Sequence, residues 1–176
     1  MSYLLYFAVL LVVPTPSQGC SQPNGWRPKP LDQRVPLADI VVHAKVLNKT
    51  ETPRFEHDWP DAYSGIMEVY CVMKGGPLPQ NITVVEMGSI AGQCVSNDVD
   101  IDEEYILLLT RHDIDNTTFL ADNVNVQAAV IPATQGNLEM VAVMCALPSF
   151  TFPLGDAGNA FCPIRPLECG AASHFE

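Results

Sequence analysis

Basic residues are scarce: the 176-residue chain carries 9 Lys and Arg against 20 Asp and Glu, a formal net charge of −11. That balance leaves no basic groove for nucleic acid and no attraction to an anionic membrane. Beyond the first thirteen residues no run approaches the roughly eighteen apolar positions of a membrane-spanning helix. The polar ending Ser173-His174-Phe175-Glu176 is no lipid-anchor signal, so no membrane anchor is expected. Also missing are a nucleophile elbow, a phosphate loop, a zinc-binding helix motif and a convincing carboxylate pair. Neither an enzyme nor a resident cofactor or metal is therefore expected.

What is there begins with an uncharged apolar stretch, Tyr3 to Val13, followed by Pro14-Thr15-Pro16 and the small residues Ser17 and Gly19. It is too short to span a bilayer and has the flanks of a secretory leader cleaved between Gly19 and Cys20. All six cysteines, Cys20, Cys71, Cys94, Cys145, Cys162 and Cys169, follow that junction. An even number after a leader predicts a disulfide framework in an oxidising, extracellular setting. Acceptor sequons at Asn48, Asn81 and Asn116 predict a surface glycoprotein on the same route.

Residues 20–36 are rich in proline and predict an extended arm, with Trp26 covering one end of the core. Ala38 to Leu47 alternates as a half-buried strand, Ile40, Val42, Ala44 and Val46 on one face and His43 on the exposed one. His43 has no second His at ligand spacing. Asn48 to Asp61 reads as a long loop in which His57 and Asp58 find no nucleophile.

Ser64 to Lys74 is the second strand, with Met67, Val69, Cys71 and Met73 sharing one face. Gly75-Gly76-Pro77 then turns the chain into a third strand, Asn81 to Met87. The acidic run Asp98 to Glu104 lacks the glycine and the bidentate Glu of a calcium loop and reads as a solvated turn. Tyr105 to Leu109 is apolar throughout, the pattern of a strand buried on both faces.

Thr118 to Ala121 and Val124 to Val130 read as short extended pieces. Thr134 to Ala146 is the helix candidate, with Leu138, Val141, Ala142 and Cys145 on its buried stripe and Thr134 as N-cap. A disulfide from Cys145 into the sheet would dock it. Residues 148–176 form an irregular tail, with Cys162 and Cys169 as a local closure.

Five strands, one late helix and a tethered start predict a mainly β fold, a five-stranded Greek-key barrel. The division is a leader at 1–19, one domain at 20–147 and the tail at 148–176. Cys20-Ser21-Gln22-Pro23, Ala38 to Val46, Met67-Glu68-Val69-Tyr70 with Lys74-Gly75, Cys94, and Glu103 to Leu107 together resemble the netrin-like module. That family includes the amino-terminal domain of the tissue inhibitors of metalloproteinases and is an OB-fold.

The resemblance implies a Cys20–Cys94 bridge that tethers the arm to the barrel. Three pairings of the other four cysteines remain open; Cys71 with Cys145 and Cys162 with Cys169 is the expectation adopted. The resemblance also implies two functions. The first is an extracellular protein-binding or regulatory module, whose partner could be a matrix component. The second is inhibition of a zinc metalloproteinase by the edge Cys20, Ser21, Gln22 and Pro23, with Cys20 chelating the target's zinc. Against the second, the inhibitors begin Cys-x-Cys, whereas Gln22 stands third here. We expect the binding module first, because a fold does not fix a function.

Overall fold

The computed structural model describes residues 22–167, apart from 52–58, 60, 91, 113–114, 149, 156–157 and 159. Six strands run in the order β1 (Ile40–Glu51), β2 (Ala62–Lys74), β3 (Asn81–Gly88), β4 (Glu104–Arg111), β5 (Thr118–Ala121) and β6 (Val130–Pro132). A one-turn helix, α1 (Leu31–Arg34), precedes them and a second, α2 (Gln135–Ala142), follows. The expected arm is thus extended only as far as Pro30.

Neighbours in the sheet follow the order β1-β2-β3-β5-β4, and β4 pairs back onto β1 from Ile40↔Leu109 to Lys45↔Glu104. The five strands therefore close into a barrel with the strand order of an OB-fold. β3 and β5 are parallel, and every other pairing is antiparallel. The far edge of β4 is shared, β6 lying along Tyr105 to Leu107 and β5 along Leu109 to Arg111.

Two apolar layers explain the composition of the strands. Inside the barrel lie Ile40, Val42, Ala44, Val46, Met67, Val69, Leu107, Leu109 and Phe119. On the outside of β1, β2 and β4, a second layer joins Val41, Cys71, Met73, Ile106 and Leu108 to residues of α1, α2 and the segment after them. β4 is apolar without alternation because its outward side chains are covered as fully as its inward ones.

β2 does not keep Met67, Val69, Cys71 and Met73 on one face, as its alternation predicts. The register with β1 slips between His43↔Cys71 and Ala44↔Val69, so Tyr70 is the extra residue of a β-bulge. The bulge reverses the facing: Met67 and Val69 point into the barrel, Cys71 and Met73 out of it.

α2 starts where expected, the Thr134 hydroxyl accepting from Asn137 N–H at 3.3 Å. It stops at Ala142, short of the predicted Ala146, and Cys145 is exposed beyond its end rather than on the buried stripe. The described residues of 150–167 then run back over the barrel as a strap. Thr151 exchanges two backbone hydrogen bonds with Val72, and Leu154 N–H donates to Leu78 O at 2.8 Å. Arg165 donates to Pro148 O and Met144 O and lies over the Phe150 ring.

Candidate functional site

The predicted contact edge comprises Cys20 and Ser21, which lie outside the described residues, and Gln22 and Pro23, which are exposed. Directly after them Pro23-Asn24-Gly25-Trp26 makes a turn, closed by Trp26 N–H donating to Pro23 O at 3.0 Å. Gly25 sits at φ +76°, the conformation that the third position of a type II turn requires. The arm then meets the loop between β5 and β6. Trp26 Nε1–H donates to Asn125 O at 2.8 Å, and Asn125 Nδ2 donates to Arg27 O at 3.0 Å. Gln127 pairs with both backbone groups of Lys29: Lys29 N–H donates to Gln127 Oε1 at 2.7 Å, and Gln127 Nε2 donates to Lys29 O at 3.1 Å.

A third segment joins through amides. Buried Asn97, on the connection from β3 to β4, donates from Nδ2 to Asn123 Oδ1 at 2.9 Å and accepts from Ala129 N–H at 2.7 Å. Tyr63 braces that connection, its hydroxyl donating to Asn97 O and accepting from Val99 N–H. Burial raises the Tyr63 pKa, so the phenol keeps its proton to donate. Below the arm, Arg34 donates from Nη2 to Gln127 O and Ala128 O. Burial lowers its pKa and the charge of Asp122 raises it. The arm, the Cys94 connection and the β5–β6 loop thus form one polar edge of the barrel.

Asn97, Asn123, Asn125 and Gln127 were not singled out from the sequence. Asn123-Val124-Asn125-Val126-Gln127 alternates like a strand, which hid a loop with Asn125 at φ +61° and Val126 at φ +55°. Three amides in five residues was the available signal.

The cysteines pair differently from the expectation. Cys71 is joined to Cys162, with Cα atoms 4.9 Å apart, and not to Cys145; Cys162 is therefore not bonded to Cys169. The bulge turns Cys71 outward to the strap, while Cys145 hangs beyond α2. Cys94 and Cys145 are also disulfide-bonded, and no described cysteine is free. Cys20 and Cys169 fall outside the described residues. Asn48, Asn81 and Asn116 are all exposed.

His43 is buried, contrary to its predicted exposure. The bridge at Cys71 brings Phe161 edge-on to its ring at 5.0 Å, Tyr70 lies edge-on at 5.4 Å, and Nε2 is 2.9 Å from Glu104 Oε2. Among the described residues Nδ1 finds no hydrogen-bond partner. Burial lowers the pKa of the ring, and the hydrogen bond and charge of Glu104 partly offset it.

His57 and Asp58 lie outside the described residues. In the acidic turn, Asp98, Asp100 and Asp102 are exposed, and Lys45 Nζ stands 2.9 Å from Asp102. Among the described residues no group of three or more His, Cys, Asp and Glu could hold a metal ion.

No family model matches the chain. It is similar to coiled-coil domain-containing protein 3 of Mus musculus, 30% identical over 152 residues, covering 78% of this chain and 54% of that protein. It is likewise 30% identical over 142 residues to coiled-coil domain-containing protein 3 of Homo sapiens, covering 72% of this chain and 51% of that protein. The chain spans about half the length of the curated relatives it matches.

Proposed function

We propose, from the OB-like barrel and the similarity to coiled-coil domain-containing protein 3, that this chain is a secreted, netrin-like glycoprotein module that binds another extracellular protein. Its contact surface is the amino-terminal edge. The observation that carries this reading is the arm itself: Trp26 is fixed to the barrel through its indole N–H and Arg27 and Lys29 through side-chain amides, while Gln22 to Gly25 stay exposed. A segment held in place before binding loses less freedom on binding. The Cys71–Cys162 bridge and the oxidised Cys94 and Cys145 support an oxidising compartment. The exposure of the three sequons supports glycosylation.

The test is capture from extracellular matrix extract by the wild-type protein and by a variant with Gln22, Asn24 and Trp26 replaced by alanine. Proteins held by the first and lost by the second support the edge. An identical set from both would sink it.

A second reading, metalloproteinase inhibition, is favoured by the same fastening. The missing Cys-x-Cys start removes a bridge that would stiffen the arm, and the amides of Asn125 and Gln127 hold it without one. The Cys20 α-amine, which loses its proton near neutral pH, and the Cys20 carbonyl oxygen would chelate the protease's zinc, with Ser21 entering the specificity pocket. Intact-mass analysis would first establish a free Cys20 amine. Titration against a panel of metalloproteinases should then give stoichiometric inhibition, abolished by one alanine added before Cys20. A correctly processed protein that inhibits none removes this reading and leaves the first.

A further inference from the structure

We infer that Asn125 and Gln127 are positioning residues, a two-amide latch that sets the orientation of the amino-terminal arm. The inference deepens the reading of the arm as a contact edge and rests on it only for its consequence in binding. The arm's sequence leaves little else to hold. Pro28 and Pro30 have no N–H and fix their own φ, and each biases the residue before it toward an extended backbone. Arg27 to Pro30 is therefore stiff along its length but short of donors to anchor it.

Lys29 has the only N–H between the two prolines, and Gln127 takes both that N–H and the Lys29 carbonyl, as a neighbouring strand would. Asn125 takes the Arg27 carbonyl and also donates to Gln127 Oε1 at 2.6 Å, so the two amides orient each other. The loop gives up local comfort for this. Val126 is β-branched yet held at φ +55°, a conformation such residues rarely adopt unless their surroundings impose it. The Asn97–Asn123 bond and the Asn97–Ala129 bond supply that constraint from the other side.

The test uses the full secreted protein and reads amide hydrogen exchange at Lys29, with Trp26 emission read in a Trp59→Phe background. Gln127→Ala should speed Lys29 exchange about tenfold or more and shift the Trp26 spectrum, with the thermal midpoint of the barrel unchanged. Asn125→Gly, which suits the backbone and removes only the amide, should do the same more weakly.

Gln127→Glu supplies the signature that general loosening would not. At neutral pH its carboxylate still accepts from Lys29 N–H but has no proton to donate to the Lys29 carbonyl and repels it, so the arm is held by one bond of the two and Lys29 exchange lies between that of wild type and that of Gln127→Ala. Near pH 4 the protonated carboxyl regains both bonds, and exchange returns toward the wild-type value at that pH. Unchanged Lys29 protection in Gln127→Ala, or a pH-independent Gln127→Glu, overturns the latch. Partners captured by the wild-type protein should bind Gln127→Ala about tenfold more weakly. Equal binding with a loosened arm overturns the positioning role. A wild-type protein that captures nothing defeats the contact-edge reading, while the exchange data still decide the latch.

Discussion

The His43 ring is enclosed by one residue from each of three elements: Glu104 on β4, Tyr70 on β2 and Phe161 on the strap. Burial favours its neutral form in the fold. Released into the unfolded chain, the ring titrates at about 6.5. Below that value and above the depressed folded value, the unfolded chain binds the extra proton, so the contribution of His43 to stability is present above about pH 6.5 and lost as pH falls. Urea unfolding at pH 7.5 and pH 5.5 should show this loss in the wild type and a smaller one in His43→Phe. Equal losses in both would remove His43 as the cause. Asp122 shifts the opposite way, burial raising its pKa, and because it is present in both the wild type and His43→Phe the comparison between them isolates the ring.

At the scale of elements, the described part of the strap is held by the Cys71–Cys162 bridge and by the backbone bonds of Thr151 and Leu154. Cys71 and Cys162 are 91 residues apart, so replacing both by alanine should lower stability by about 4 kcal/mol on the loop-closure account. Hydrogen exchange at Thr151 and Leu154 should quicken before that of the barrel strands, and the His43 pKa should rise back toward its ordinary value. The end of β3, where Gly88 pairs with Ala62 of β2, is equally specific. Gly88 sits at φ +88°, and a Cβ there would lie 2.1 Å from Asp61 O. Gly88→Ala should therefore destabilise by roughly 3 kcal/mol, read by denaturant midpoint.

The strands themselves were legible, because alternation and the unbroken apolar run of β4 are direct records of burial. Thr118 to Ala121, a short extended piece in the sequence, has the bounds of β5. Facing beyond Tyr70 was not legible: a bulge leaves no mark in a run of apolar residues, and the Cys71 pairing and the burial of His43 both follow from it. The latch was hidden for a related reason, since Asn-Val-Asn-Val-Gln has the period of a strand and only backbone conformation makes it a loop.

As a whole molecule, the barrel is filled from one side by Phe119, fully buried among side chains from the other strands. Phe119→Ala should cost about 3–5 kcal/mol, measured by thermal or urea unfolding. A value near 1 kcal/mol would mean that the interior collapses to fill the space. The outer layer of α1, α2 and strap is a separate packing surface, so its variants should add to this loss rather than multiply it.

The seam between β1 and β4 also sets a timetable. One edge of β1 meets β2 as soon as the hairpin is made, but the other waits for the stretch ending at Leu109. At about 5–20 residues per second of synthesis, that wait is on the order of several seconds. Throughout it Ile40 to Lys45 is an unpaired strand edge, open to the same segment of a neighbouring nascent chain. Crowding of ribosomes on one message is therefore the circumstance in which this barrel is most exposed to being completed by the wrong copy.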